Sequence, residues 1–164
     1  MRTPQLEYLD GVYYADNCTI VGQVSLGADT SVWYGTVIRG DVAPITIGRR
    51  TNIQDLVMVH PQHDEPVTLG DEITVGHGAV IHCLTVESRC LIGIKAILLP
   101  GAVIGEGSII AAGALVPLGR IIPPRSLVVG MPAKIVRSVT DEEYAALIDS
   151  AARYVGYARD HVPG

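Results

Sequence analysis

The chain has 164 residues and a formal net charge of −5; hydrophobic residues make up 48% of it, with no Phe and one Trp. That length suits one domain, and that composition suits a narrow core filled by many small aliphatic side chains. An acidic balance with no basic cluster speaks against nucleic acid as a partner.

At the N-terminus, Met1-Arg2-Thr3-Pro4 leads into no apolar run, so no secretory signal is expected. Three cysteines, an odd number in no scaffold-like pattern, suit a reducing cytoplasm better than a disulfide framework. Aliphatic residues then recur in hexads. Val21-Gly22, Leu26-Gly27, Val32-Trp33 and Ile38-Arg39 read as the first turns, with one step of five. Gly40 to Pro44 inserts three residues before Ile47-Gly48, and Ile53-Gln54 and Val59-His60 follow in step. Pro61 to Pro66 forms a polar bulge of four extra residues before Leu69-Gly70. Val75-Gly76 and Ile81-His82 continue, and a step of five leads to Val86. From there Val86, Ile92, Leu98, Ile104, Ile110, Val116 and Ile122 keep an unbroken step of six.

A period of six fits neither a helix nor an isolated strand. It predicts an all-β solenoid whose triangular coils each take three hexads, about 18 residues, and stack as parallel strands. Each aliphatic residue points inward, and the small residue after it relieves crowding at the corner. Excursions such as 40–44 and 61–66 map to loops on the functional side. The most apolar stretch, Leu91 to Leu118, is broken by Lys95, Pro100, Glu106 and Pro117, so it reads as solenoid wall and not as a membrane span.

The repeat is expected to stop near Ile122-Pro123-Pro124, with Val128 to Lys134 as an exit segment. A helix then starts at Thr140, where Thr140-Asp141-Glu142-Glu143 forms a capping box. Tyr144, Leu147, Ile148, Ala151, Tyr154, Val155 and Ala158 make its apolar stripe. The chain thus divides into a β-helix with its exit segment, 1–136, and a helical segment, 137–164, that packs on the solenoid or a neighbouring subunit.

The hexads give each histidine an address. His60 and His82 both hold the second position, three hexads apart through Leu69 and Val75, so they stack on adjacent coils about 4.8 Å apart. Two imidazoles so placed converge on one metal ion. Arg39 shares their address one coil earlier. His77 holds a third position, poorly placed to join the same ion within one chain. If identical prisms pack with threefold symmetry, His77 of one subunit meets His60 and His82 of the next. Three His ligands with an open fourth position make a hydrolytic zinc site. The plainer reading of each histidine is a surface or satisfied residue.

Arg39-Gly40-Asp41, Asn52-Ile53-Gln54-Asp55, His60, Val75-Gly76-His77-Gly78-Ala79-Val80-Ile81-His82 and the exit Leu127 to Lys134 resemble the gamma-class carbonic anhydrases over about residues 10–160. The resemblance implies a homotrimer of left-handed β-helices with Zn2+ (or Fe2+ or Co2+) at subunit interfaces, held by His60, His77 and His82. It implies that Gln54 orients the metal-bound hydroxide or bicarbonate. It also implies that Arg39 and Asp41 pair across the interface and help bind bicarbonate, with Asn52 and Asp55 as supports and Tyr154 near the site. The implied activity is reversible hydration of CO2; the cysteine usage, charge and broken apolar stretch described above add the expectation of a cytoplasmic protein with no nucleic-acid or membrane partner. For Arg39, Asp41 and Asp55 a purely structural role stands beside the functional one, and for Tyr154 core packing does.

The chain departs from the most active members, which carry a long acidic loop. Here only Pro61-Gln62-His63-Asp64-Glu65-Pro66 stands in its place, and His63 or Glu65 either relays protons or is simply solvated loop. Cys83-Leu84 follows the last ligand in place of Gly-Cys, so Cys83 either offers a competing thiolate or is a small buried residue. Gly93-Ile94-Lys95 replaces a Gly-Met-Gly pattern. Two other functions remain open on the same fold: an acyltransferase using acyl-CoA, disfavoured by the histidine set, and a non-catalytic metal-binding trimer.

Overall fold

The structure, a computed structural model, describes residues 3–163. Met1 and Arg2, on which part of the leader reading falls, lie outside the described residues. Strands of mostly two residues alternate with tight corners and stack into a left-handed parallel β-helix of about six coils, closed by one C-terminal helix. Three columns of inward side chains build the core. Face one carries Tyr14, Val32, Ile53, Val75, Ile92, Ile110 and Val128 in register. Face two carries Ile20, Ile38, Val59, Ile81, Leu98 and Val116. Face three carries Leu26, Ile47, Leu69, Val86, Ile104 and Ile122. Apart from Tyr14, Ile20 and Leu26 these side chains are buried to within 1%, because each coil can offer only one inward residue per face.

Two hexad assignments are corrected. Val21 pairs with Arg39 and is 43% exposed; Ile20 is the inward residue, which restores a step of six to Leu26. The first coil has no coil before it, so its strand Thr19–Leu26 is largely exposed and even the inward Ile20 is only partly buried. The repeat also runs past the prolines. Val128, one hexad beyond Ile122, pairs with Ile110 on face one and is fully buried. Pro123 and Pro124 occupy a corner, where no ladder hydrogen bond is lost. The chain leaves the prism only after Val129, returning as the antiparallel strand Lys134–Ser138.

The small residue after the inward position has a physical reason at some corners and not others. A Cβ on Gly93 would lie 2.5 Å from the backbone nitrogen of Ala112, and one on Gly27 2.5 Å from that of Arg49. Face two differs. The residues after its inward positions are Arg39, His60, His82, Leu99 and Pro117, and this corner holds both excursions. The strand Val37–Ile47 runs through it without a break, joining faces two and three into one sheet. The 61–66 bulge folds on itself through a Gln62–Glu65 bridge and leans on Val42. Large side chains are therefore the rule at this corner, whereas elsewhere they are exceptions such as Trp33, Gln54 and Glu87.

Helix α1 (Asp141–His161) begins as expected, with Thr140 accepting from the Glu143 amide and the Glu143 carboxylate accepting from the Thr140 amide. Leu147, Ala151 and Ala158 are its buried residues. The helix lies on face one of its own solenoid, against the strands Ser31–Val32, Asn52–Ile53 and Thr74–Val75. Its far end joins Leu6, Tyr13, Ala15 and Trp33 in a second apolar cluster, which also packs against the N-terminal hairpin Leu6–Leu9 and Val12–Ala15. No described helix is long and apolar enough to cross a membrane.

Candidate metal centre

His60 and His82 follow the paired inward residues Val59 and Ile81 at the face-two corner. Their rings stack, with centroids 5.4 Å apart and planes 15° from parallel. His82 Nδ1 lies against the His60 carbonyl oxygen. A carbonyl only accepts, so Nδ1 carries the proton and, in the neutral ring, Nε2 keeps a lone pair for a cation. His60 Nε2 is 3.2 Å from Asp41 Oδ1. Arg39 stands at the same address one coil earlier, with its guanidinium on the other Asp41 oxygen. The Arg39–Asp41 pair that the resemblance implies across an interface is thus closed within one chain. Burial pushes the Asp41 carboxyl up, but hydrogen bonds from Arg39, its own backbone amide and His60 outweigh it and hold the group below the usual carboxylate range. Arg39, Met58, His60 and His82 line a recess of about 260 Å³.

The other candidates sit at a different corner, after face one. His77 is 48% exposed and places Nδ1 2.7 Å from Asp55 Oδ2. That contact fixes the proton on Nδ1 and leaves the lone pair of Nε2 free for a cation, the usual way a ligand imidazole is held by a carboxylate. Gln54 and Asn52 are buried one coil away, with Gln54 Nε2 donating to Asn52 Oδ1 at 3.1 Å. Asn52 Nδ2 in turn reaches Thr74 Oγ1 at 3.0 Å and the Ile73 carbonyl at 3.3 Å. Tyr154 comes from α1 and lines the same cleft as Gln54. Burial pushes its phenol up, the nearby Asp55 carboxylate adds to this, and the Gln54 contact opposes both. Gln54, His77 and Tyr154 line one end of a cleft of about 400 Å³ whose floor is Leu91, Gly93, Ile109, Ile110 and Ala111.

One chain therefore holds two half-sites on two corners, and among the described residues no three metal-binding side chains converge within it. The donor set fits a borderline cation such as Zn2+, since each of two imidazoles has one nitrogen fixed as a donor and the other turned free. Cys83 offers no thiolate: it is 2% exposed and burial pushes its thiol up to about 12. His63 and Asp64 pair with each other on the exposed bulge, in the solvated-loop arrangement. Two residues that the sequence reading passed over, Thr74 and Ser150, join the Asn52–Gln54 pair, with their hydroxyls 3.4 Å apart. A signal for Thr74 was available. The outward column of face one reads Ser31, Asn52, Thr74 and then turns apolar at Leu91 and Ile109.

Comparison with known proteins agrees with the fold. Residues 84–117 match the family model described as bacterial transferase hexapeptide (six repeats). A crystal structure of a hexapeptide transferase family protein from Anaplasma phagocytophilum superposes with a TM-score of 0.89 at 38% identity, covering 94% of this chain and 92% of that one. The molecule is thus a hexapeptide-repeat β-helix. The chain is 48% identical over 154 residues to a carbonic anhydrase of Geobacillus kaustophilus (strain HTA426), the match spanning 94% of this chain and 84% of that protein. It is 41% identical to gamma carbonic anhydrase 2, mitochondrial, of Arabidopsis thaliana, over 92% of this chain and 56% of that longer protein. This chain belongs to the gamma-class carbonic anhydrase family.

Proposed function

We propose that the protein is a metal-dependent hydratase converting CO2 reversibly to bicarbonate, built as a homotrimer. In it His60 and His82 of one subunit and His77 of the next hold Zn2+, with Fe2+ and Co2+ as alternatives. The observation that carries this reading is the division of the site: two stacked imidazoles on one corner, a third held by Asp55 on another, and each half incomplete alone. When bound, such a cation lowers the pKa of a water to about 7 and so supplies hydroxide at neutral pH. The chain does the rest. Asp55 and the His60 carbonyl fix the tautomers of His77 and His82. Gln54, immobilised by Asn52, offers a hydrogen-bonding group to the substrate side of the cleft. Arg39, charge-balanced by Asp41, provides a cation that attracts bicarbonate without overbinding it.

The test is metal analysis of protein purified without chelator, followed by stopped-flow CO2 hydration on zinc- and iron-loaded samples. About one ion per chain with hydration above background supports the hydratase. Bound metal with no hydration leaves a metal-binding trimer, and no metal together with tight acyl-CoA binding points to a transferase.

A further inference from the structure

The hydrogen bonds around Gln54 have a direction, and it originates in the backbone. The Ile73 carbonyl can only accept, so the Asn52 atom facing it at 3.3 Å is the amide nitrogen. The same nitrogen donates to Thr74 Oγ1 at 3.0 Å, which leaves the Asn52 oxygen facing Gln54. Gln54 must answer with its own nitrogen, at 3.1 Å, so its carbonyl oxygen is the atom turned elsewhere. Because Thr74 Oγ1 accepts from Asn52, its proton is free for Ser150 Oγ, 3.4 Å away on α1. One helical turn further along the same face of α1, Tyr154 lines the same cleft as Gln54. Asn52, Gln54 and Thr74 are each at most 5% exposed, so water does not compete for these bonds.

We propose that Thr74 and Ser150 are positioning residues: together with Tyr154 they make α1 a clamp that holds the Gln54 side chain in one rotamer and one amide orientation, oxygen toward the candidate metal centre. An acceptor oxygen there aligns a water through its proton and leaves that water's lone pair free to attack carbon. A flipped amide would present a donor and occupy that lone pair instead. The catalytic part of this inference rests on the hydratase reading; the orientation of Gln54 does not.

The experiment uses the intact, metal-loaded trimer of Thr74→Val, Thr74→Ser and Ser150→Ala, with Val chosen to keep the shape of Thr. The Gln54 side-chain amide resonances of 15N-labelled protein, assigned by their loss in Gln54→Glu, report orientation. In Thr74→Val they shift, and their exchange with water rises about tenfold, as expected when one anchoring bond of a buried pair is lost. Ser150→Ala moves them in the same direction by less, and Thr74→Ser returns them. CO2 hydration by Thr74→Val loses about tenfold in kcat with KM unchanged, a split that general loosening of the fold would not give, and Thr74→Ser restores it. Unmoved Gln54 resonances in both Thr74→Val and Ser150→Ala would overturn the clamp, whatever the hydration rate. Shifted resonances in a protein whose wild type hydrates no CO2 would support the clamp and overturn the hydratase.

Discussion

Asp55 shows how much of the site depends on residues that are not ligands. Its carboxylate holds His77 Nδ1 at 2.7 Å and so leaves Nε2 as the nitrogen free to bind a cation. Asp55→Asn keeps the size and removes the charge that makes the imidazole a better donor, and second-sphere changes of this kind weaken metal binding by about 10–100-fold. Competition with a fluorescent zinc chelator measures it; an affinity equal to wild type would show that Asp55 only shapes the corner. Lys95 gives an opposite expectation. It occupies a corner with φ of 55°, where Gly78 stands one coil before and Gly113 one coil after. An L-residue there is strained by roughly 1–2 kcal/mol, partly offset by the freedom glycine gains on unfolding. Lys95→Gly is therefore expected to raise stability by up to about 1 kcal/mol in urea titration, and a loss would mean that the lysine side chain carries its own support.

The start of helix α1 was legible because it is chemically marked, whereas the coils were legible only where their neighbours constrain them. Thr140 and Glu143 announce a capping box in the sequence, and both of its bonds are present. Ile20 was misphased because the outermost coil buries little and Ile20 and Val21 are both aliphatic, so only the step of six to Leu26 told them apart. The helix start also sets an acid dependence. The hydrogen bond from Arg137, then that from the Thr140 amide, hold the Glu143 carboxyl down at about 2 against an ordinary 4.5. Below its ordinary pKa an unfolded chain binds this proton while the folded chain does not, so the contribution is complete above about pH 4.5 and fades as pH falls through about 2. Thermal midpoints by circular dichroism should drop more steeply over that window in wild type than in Glu143→Gln. Equal slopes would assign the acid sensitivity elsewhere.

At the scale of the molecule, register is guarded by charge as well as by packing. Along the corner between faces three and one, Arg50, Glu72, Arg89 and Glu106 alternate in sign from coil to coil, with contacts of 3.2, 3.1 and 2.8 Å. Tyr144 ties the last pair to α1. A slip by one coil would set Arg50 against Arg89. Such ladders were hidden in the sequence, because the residues are about 17–22 positions apart and meaningful only once the coil length is known. In the proposed trimer the third ligand was hidden for a deeper reason: His77 has an address on its own prism, but its partners would belong to another copy. Face two offers the surface for that copy, since Met58, paired in register with Val37 and Val80 in the column of outward-facing residues, is apolar and 36% exposed beside His60 and His82. Two variants should then separate assembly from ligation. Met58→Lys places a charge in the core of the proposed interface, so sedimentation should show monomers and metal analysis an empty protein, although all three histidines remain. His82→Ala removes one donor and no apolar contact between subunits, so trimers should persist while metal retention is abolished. Metal held at full occupancy by a Met58→Lys monomer would place all the ligands within one chain, against the geometry of its two corners.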